Sequence, residues 1–89
     1  MAWTVKFSGD ALKQLKKLDA HQSKRIINYL TQRVLSNSQP RSLGKELSGN
    51  LSPLWRYRVG DFRMICELKD DILVVLVLKV GHRKNVYKR

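Results

Sequence analysis

Three arginines, Arg56, Arg58 and Arg63, lie in one short segment, WRYRVGDFRMICEL, residues 55–68. The Gly60–Asp61 pair predicts a two-residue type II′ turn, because glycine tolerates the positive φ that the first turn position needs. This turn places Arg58 directly opposite Arg63, on the same face of the hairpin as Arg56. Like charges opposite each other in a ladder cost about 0.2–1 kcal/mol. A bound anion removes this repulsion, and guanidinium groups match phosphate oxygens, so the pattern favours a phosphate site.

The alternating residues of the hairpin form a second face that is aromatic or apolar apart from one phenol: Trp55, Tyr57, Val59, Phe62, Met64, Cys66 and Leu68. A face of this kind packs on a core. The arginines then point away from the core, and solvent exposure with partial compensation by Glu67 is the alternative to a phosphate site. Three arginines on one well-patterned hairpin favour the phosphate interpretation.

The C-terminal segment VGHRKNVYKR, residues 80–89, contains a second group of reactive side chains. Arg83 and Tyr87 are four residues apart, so they share one side of a helix, and they also share a face if the segment is extended. His82 points away from Arg83 in a strand, which indicates a structural or solvent-facing role, although its pKa suits acid–base chemistry. The last strand lies beside the hairpin, so its end can bring Arg83 and Tyr87 to the arginine face. Packing of Tyr87 on the sheet edge is the alternative.

Two short amphipathic helices are predicted after an N-terminal strand in which Trp3, Val5 and Phe7 alternate with polar or small residues. Ser8 or Asp10 caps the first helix, and Asp19 with Gln22 resembles a capping box for the second. The apolar stripes of the two helices contain Ala11, Leu12, Leu15 and Leu18, and then Ile26, Ile27, Leu30 and Val34.

Three more strands are predicted, at about Leu54–Val59, Phe62–Leu68 and Ile72–Val80, after a loop at 36–44 and a loop or short irregular turn at 45–52. The last strand is apolar on both faces, which is typical of a central strand. We therefore expect one α+β domain over residues 1–89: a small twisted, mainly antiparallel four-stranded sheet in the order β-α-α-β-β-β, with two N-terminal helices and a short C-terminal tail or helix.

The composition limits the class of protein. The 89 residues carry a formal net charge of +11, which indicates an anionic partner such as nucleic acid, an acidic protein or a membrane surface. The single cysteine, Cys66, suits a reducing compartment. The N-terminus lacks the apolar run of a signal peptide, and Ile72 to Leu78 is too short to cross a bilayer. We expect a cytoplasmic protein that is not bound to a membrane, and the two histidines give no metal-ligand spacing.

The layout, the hairpin and the ending GHRKNVYKR resemble the RelE branch of the RelE/ParE toxin superfamily, over nearly the whole chain. The segments YRVGDFRMI and GHRKNVY carry most of this resemblance. It implies a toxin that cleaves mRNA in the ribosomal A site without a cofactor and is neutralised by a cognate antitoxin. It implies contact with operator DNA only through the antitoxin.

The resemblance also implies a role for each candidate residue. Arg56 and Arg58 take the places where the best-known members have lysines, and Arg63, Arg83 and Tyr87 match family residues directly. The implied catalytic residues are Arg58, Arg63, Arg83 and Tyr87, and Arg56, Lys45 and His82 are expected to bind the substrate. Tyr87 is the implied base for the 2′-OH, because neighbouring cations favour the ionised phenol.

Charged residues of the helices and loops are expected to bind ribosomal RNA phosphates: Lys13, Lys16, Lys17, Lys24, Arg25, Arg41 and Lys45. Two other functions remain open. One is a ParE-like inhibitor that binds DNA gyrase, although such proteins lack the Arg-plus-Tyr arrangement after the last strand. The other is a nucleic-acid-binding module without catalytic activity.

Overall fold

The computed structural model describes residues 2–37, 39–47 and 54–82. Within these ranges two α-helices pack on one face of a five-stranded sheet. The elements are β1 (Thr4–Phe7), α1 (Gly9–Lys17), α2 (Ala20–Asn28), β2 (Lys45–Glu46), β3 (Trp55–Val59), β4 (Phe62–Lys69) and β5 (Val74–His82). Helix α2 continues into a π-helical turn at Tyr29–Val34 and a 3₁₀ turn at Leu35–Asn37, and a second 3₁₀ turn spans Pro40–Ser42.

The strands are ordered β1-β5-β4-β3-β2, and every neighbouring pair is antiparallel except β1 and β5, which are parallel. The α+β class and the interior position of the last strand are confirmed, and the predicted count of four strands is wrong. The fifth strand is β2, a two-residue segment that pairs with Trp55 and Arg56 where the sequence predicted a loop or turn. Two residues are too few to show the alternation by which a strand is predicted.

Both helices begin at the predicted caps. The Ser8 hydroxyl accepts a hydrogen bond from the Ala11 amide at 3.0 Å, and the Asp19 carboxylate accepts one from the Gln22 amide at 2.8 Å. Each cap satisfies one of the amides that the first turn of a helix leaves without an intrahelical partner. In these ranges no helix is both long enough and apolar enough to span a membrane.

The core lies between the helices and the sheet. The fully buried side chains include Tyr57, Met64 and Cys66 from the hairpin and Ile26, Leu30 and Val34 from the second helix. The predicted core face of the hairpin is therefore confirmed. The apolar stripe of the second helix also predicted Ile27 as a core residue. This prediction is wrong, because the residue is 39% exposed.

Strand β5 contains a β-bulge. Lys79 pairs with Ile65 and Val77 pairs with Cys66, so Leu78 is an extra residue on β5. Helix α1 satisfies the bulged backbone: the Ser8 hydroxyl donates to the Leu78 carbonyl at 3.0 Å, and the Gln14 amide oxygen accepts from the Val80 amide at 2.6 Å. Because a bulge adds one residue, odd-numbered residues face the core before it and even-numbered residues face the core after it.

The exchange is visible in the burial of β5. Val75 and Val77 face the core before the bulge, and Val80 faces it afterwards. The predicted strand Ile72–Val80 is displaced by two residues at each end. It begins at Val74, because Ile72 is 60% exposed and Leu73 has a φ of 54°, and it ends at His82.

Candidate functional site

The β3–β4 hairpin has the predicted register. Val59 pairs with Phe62, Arg58 with Arg63 and Tyr57 with Met64. Gly60 has a φ of 57° while Asp61 has a negative φ, which is the combination of a type II′ turn. The turn therefore sets two arginines directly across the ladder, at a Cα separation of about 4.5–5.5 Å for antiparallel pairs.

Arg63 is the most constrained cation of this face. It is half-buried, and its Nε and Nη1 atoms are buried with no hydrogen-bond partner among the described residues. Its directly paired neighbour on β5 is Gly81, which has no side chain to fill the space beside it. Buried guanidinium donors without acceptors are costly, and an anionic ligand would supply the acceptors.

Two carboxylates of the described chain bind cations outside the hairpin arginines. Glu67 accepts from the Lys69 ammonium at 3.3 Å, and Asp70 holds both Nη atoms of Arg41 at 2.8 and 2.9 Å. The hydrogen bond from Arg41 lowers the pKa of the Asp70 carboxyl. In these ranges no ion pair includes an arginine of the hairpin. Glu67 therefore does not form an ion pair that would compensate the charge of these arginines.

A pocket of about 230 Å³ lies at the outer edge of β3, and its lining consists of Tyr29, Gly44, Lys45, Arg56 and Arg58. It joins three of the predicted site residues, Lys45, Arg56 and Arg58. The short strand β2 brings Lys45 there by pairing it with Arg56.

Gly44 and Tyr29 form the other walls of this pocket. Gly44 has a φ of 74°, and a Cβ on it would lie 2.3 Å from the Arg56 carbonyl oxygen, so only glycine fits. The Tyr29 ring meets the buried Tyr57 ring edge-on at 6.2 Å, and the Arg33 guanidinium lies 5.9 Å from its centroid. Burial raises the pKa of the Tyr29 phenol, so the group stays protonated.

His82 does not lie with the hairpin arginines. It pairs with Phe62 on the helix-bearing side of the sheet, and the two rings meet edge-on at 6.0 Å. Its side chain therefore points away from the arginine face, as strand parity predicted, and its assignment to the substrate-binding group stays a prediction. Arg83 and Tyr87 lie outside the described residues, so their place at the site stays a prediction.

The surface cations expected to bind ribosomal RNA are all exposed: Lys13, Lys16, Lys17, Lys24, Arg25, Arg41 and Lys45. Arg41 differs from the others because Asp70 already binds it and its guanidinium lies 5.8 Å from the Trp55 ring centroid. Arg25 reaches the hairpin, since its Nη2 would lie 3.4 Å from a Cβ on Gly60.

Sequence reasoning missed Tyr29 and Gly44 as pocket residues. Tyr29 stands three residues after the buried Ile26, a spacing that already indicates an inward-facing ring. Gly44 stands in a loop with no local signal for a positive φ. Its role depends on the approach of β3, which is ten or more residues away in the chain.

The sheet order, the helix pair and the hairpin together define a small α+β toxin fold that known proteins share. A family model described as the ParE toxin of type II toxin–antitoxin systems matches residues 5–87. The chain therefore belongs to the RelE/ParE superfamily of type II toxin–antitoxin toxins, as its sequence predicted.

Individual relatives agree with this assignment. Toxin RelG of Mycobacterium tuberculosis is 27% identical over 89 residues and is matched over 100% of both chains. In the RelBE2 toxin–antitoxin complex of the same organism, the matched chain has a TM-score of 0.84 at 25% identity, with 93% of this chain and 100% of that chain covered. A chain of the RelB–RelE antitoxin–toxin complex of Methanococcus jannaschii has a TM-score of 0.67 at 28% identity, covering 92% and 94%.

Proposed function

We propose that this toxin is an endoribonuclease that cleaves mRNA in the ribosomal A site and so inhibits translation. The observation that carries the proposal is the pair Arg58–Arg63, in which two cations oppose each other and buried donors of Arg63 find no acceptor in the part of the chain that the structure describes. Both features favour an occupant with phosphate oxygens. The match to toxin RelG and to solved RelE-type toxins supports the same class of activity.

The proposed reaction uses the RNA's own 2′-OH as nucleophile. A base removes its proton, the 2′-oxygen attacks phosphorus, and the bond from phosphorus to the 5′-oxygen breaks. The products are a 2′,3′-cyclic phosphate and a 5′-oxygen that takes a proton from water to become a 5′-OH. No metal or cofactor is needed for this balance. The protein has to orient the nucleophile, stabilise charge on the phosphate and assist the leaving oxygen.

Each hairpin arginine has a part in this scheme. Arg63 binds the scissile phosphate and stabilises its developing charge. Arg58, directly opposite Arg63, donates hydrogen bonds to the leaving oxygen. Arg56, two residues before Arg58 on the same face of β3, positions the RNA strand. Guanidinium groups stay charged at neutral pH, so these residues act through hydrogen bonds and charge. Arg83 as a second phosphate ligand and Tyr87 as the base follow from the family resemblance.

The proposed partners are the ribosome with its mRNA and a cognate antitoxin. Exposed cations on the two helices, among them Lys13, Lys17 and Lys24, offer a surface for ribosomal RNA phosphates. The RelBE2 and RelB–RelE complexes described above support an antitoxin partner. Since the net charge is +11, an acidic antitoxin that covers the basic surface would meet an electrostatic match.

The deciding experiment adds purified protein to a reconstituted translation reaction and maps mRNA 5′ ends. Cuts inside ribosome-occupied codons are expected, and they should be lost in Arg63→Gln, Arg83→Ala and Tyr87→Phe. Lys6→Gln is the matched control, because Lys6 is an exposed cation of the same sheet face, on the opposite edge strand β1. Intact mRNA with a folded, toxic protein would refute the proposal.

Inhibition of DNA gyrase by binding is the second candidate, because the family model that matches the chain is that of the ParE toxin. A supercoiling assay with purified gyrase separates the two functions. Blocked supercoiling together with intact mRNA would establish gyrase inhibition. Nucleic-acid binding with neither effect, and with little loss in Tyr87→Phe, would leave a binding module without catalytic activity.

A further inference from the structure

We propose that the pocket at the outer edge of β3 is a second nucleotide subsite, which binds the base and phosphate of a ribonucleotide adjacent to the cleaved bond. It is lined by Tyr29, Gly44, Lys45, Arg56 and Arg58. The inference rests on the proposed function and deepens it, because Arg56 and Arg58 belong to both sites. It adds a place where the identity of a base can be sensed.

The size and charge of the pocket suit one nucleotide. Its volume of about 230 Å³ is smaller than that of drug-sized ligand sites, which occupy roughly 300–1,000 Å³. Lys45, Arg56 and Arg58 place three cations on its rim, and the described residues that line it include no carboxylate. Within the described ranges, no ion pair engages any of these three cations. A phosphate is therefore the group that the rim is best able to bind.

Tyr29 supplies the aromatic contact for the base. Its position is fixed, since its ring packs edge-on against the buried Tyr57 at 6.2 Å and against Arg33 on the outside. Aromatic rings bind bases of single-stranded RNA by stacking, whatever the sequence. The phenol hydroxyl adds a hydrogen-bond donor that can discriminate between base edges.

The main chain of Arg58 offers the remaining hydrogen bonds. The pair that closes a two-residue hairpin is hydrogen-bonded, so the next pair, Arg58 with Arg63, directs its main-chain N–H and C=O away from the partner strand. In the described ranges, β2 covers only Trp55 and Arg56 of this edge. The Arg58 peptide groups therefore face the pocket side, where a base edge can meet one donor and one acceptor.

The first test is an NMR titration of the ¹⁵N-labelled protein with a 2′-O-methyl trinucleotide, which binds but cannot be cleaved. We expect amide shifts at Gly44, Lys45 and Arg58 that inorganic phosphate alone does not produce. If the trinucleotide and phosphate shift the same amides, or if Gly44 and Lys45 do not respond, the subsite is refuted. This titration measures binding and does not require cleavage. Its result can therefore be distinguished from a failure of the proposed nuclease activity.

Variants then test the role of each wall. Tyr29→Leu should weaken trinucleotide binding by about five- to a hundredfold, as expected for one stacked base, and Tyr29→Phe should restore most of the affinity. Thermal unfolding checks that Tyr29→Leu is folded. Lys45→Ala should also weaken binding, while Lys6→Ala, which removes an exposed lysine at the opposite edge strand, should not. Equal effects of the two lysine variants would show non-specific charge attraction and overturn the subsite.

In the translation assay, Tyr29→Leu should change which bases flank the cuts more than it lowers the total cleavage. A purely structural Tyr29 would lower cleavage uniformly and leave the flanking bases unchanged, which would also refute the subsite.

Discussion

Replacement of Arg63 by methionine should stabilise the folded protein and abolish the proposed cleavage of mRNA. Two buried donors of Arg63 have no acceptor among the described residues. An unsatisfied buried polar group costs about 1–3 kcal/mol, and the opposed Arg58 adds roughly 0.2–1 kcal/mol of repulsion. Arg63 is only half-buried, so water relieves part of these costs. We therefore expect the free energy of unfolding to rise by about 1–3 kcal/mol, because methionine keeps the aliphatic packing and removes both penalties.

Urea denaturation at low salt measures this change directly. For a domain of this size, each 1 kcal/mol moves the melting temperature by roughly 4–8 °C, so thermal unfolding gives a second estimate. A double-mutant cycle with Arg58→Gln separates the repulsion between the two arginines from the cost of the buried donors, and its coupling energy should be about 0.2–1 kcal/mol. Lys6→Met is the control for a general gain from an apolar substitution, and its effect should stay within about 0.5 kcal/mol.

A ligand should reverse the order of stabilities. Sulfate or phosphate binds the native wild-type protein and stabilises it by RT ln(1 + [L]/Kd), which amounts to about 2.7 kcal/mol at a hundred times Kd. The Arg63→Met protein should gain much less. A loss of stability in Arg63→Met at low salt would refute the reasoning, because it would mean that the guanidinium already has good partners in the native fold.

Two further substitutions and one pH change test the supports of the site. Gly44→Ala should lower the free energy of unfolding by about 2–4 kcal/mol, as overpacking and backbone strain do elsewhere. The reason is that the alanine Cβ would lie 2.3 Å from the Arg56 carbonyl oxygen. A variant as stable in urea as the wild-type protein would contradict this. Tyr57→Phe removes the hydrogen bond from the buried phenol to the Pro40 carbonyl, 2.6 Å long, and should cost about 1–2 kcal/mol in the same assay, whereas a cost near zero would mean that water replaces it. Burial raises the pKa of Tyr57 and of the Cys66 thiol, so the native state holds protons that the unfolded chain releases, and stability should fall as the pH rises above about 9. The decline should be smaller in Tyr57→Phe, and an equal decline would refute the assignment to this group.

The parts of the fold that the sequence predicted well depend on local chemistry. The Gly60–Asp61 turn determines the register of its hairpin, and that register follows from turn geometry without any knowledge of the rest of the chain. The caps at Ser8 and Asp19 likewise act on amides three residues away. Such short-range determinants can be read from a sequence because the groups that interact are neighbours in it.

The parts that the sequence did not predict depend on contacts between distant residues. Strand β2 exists because Lys45 and Glu46 meet β3, and Gly44 is needed because the Arg56 carbonyl approaches it. Ile27 fits an apolar helix stripe, yet the sheet covers only the side of the helix that carries Ile26. At the site, the hairpin turn predicted that Arg58 lies opposite Arg63. Only the fold shows that no carboxylate among the described residues forms an ion pair with either arginine.

The bulge at Leu78 acts as a joint between two strand segments with separate duties. Val75 and Val77 on one side of it hold the core, while Gly81 on the other side leaves room beside Arg63. Deletion of Leu78 would therefore leave a regular ladder in which Lys79 still pairs with Ile65, Val80 still faces the core and Gly81 still lies beside Arg63. The deletion would remove the Leu78 carbonyl that accepts from the Ser8 hydroxyl, so the extra residue serves to tie the start of helix α1 to the strand whose end lies beside Arg63.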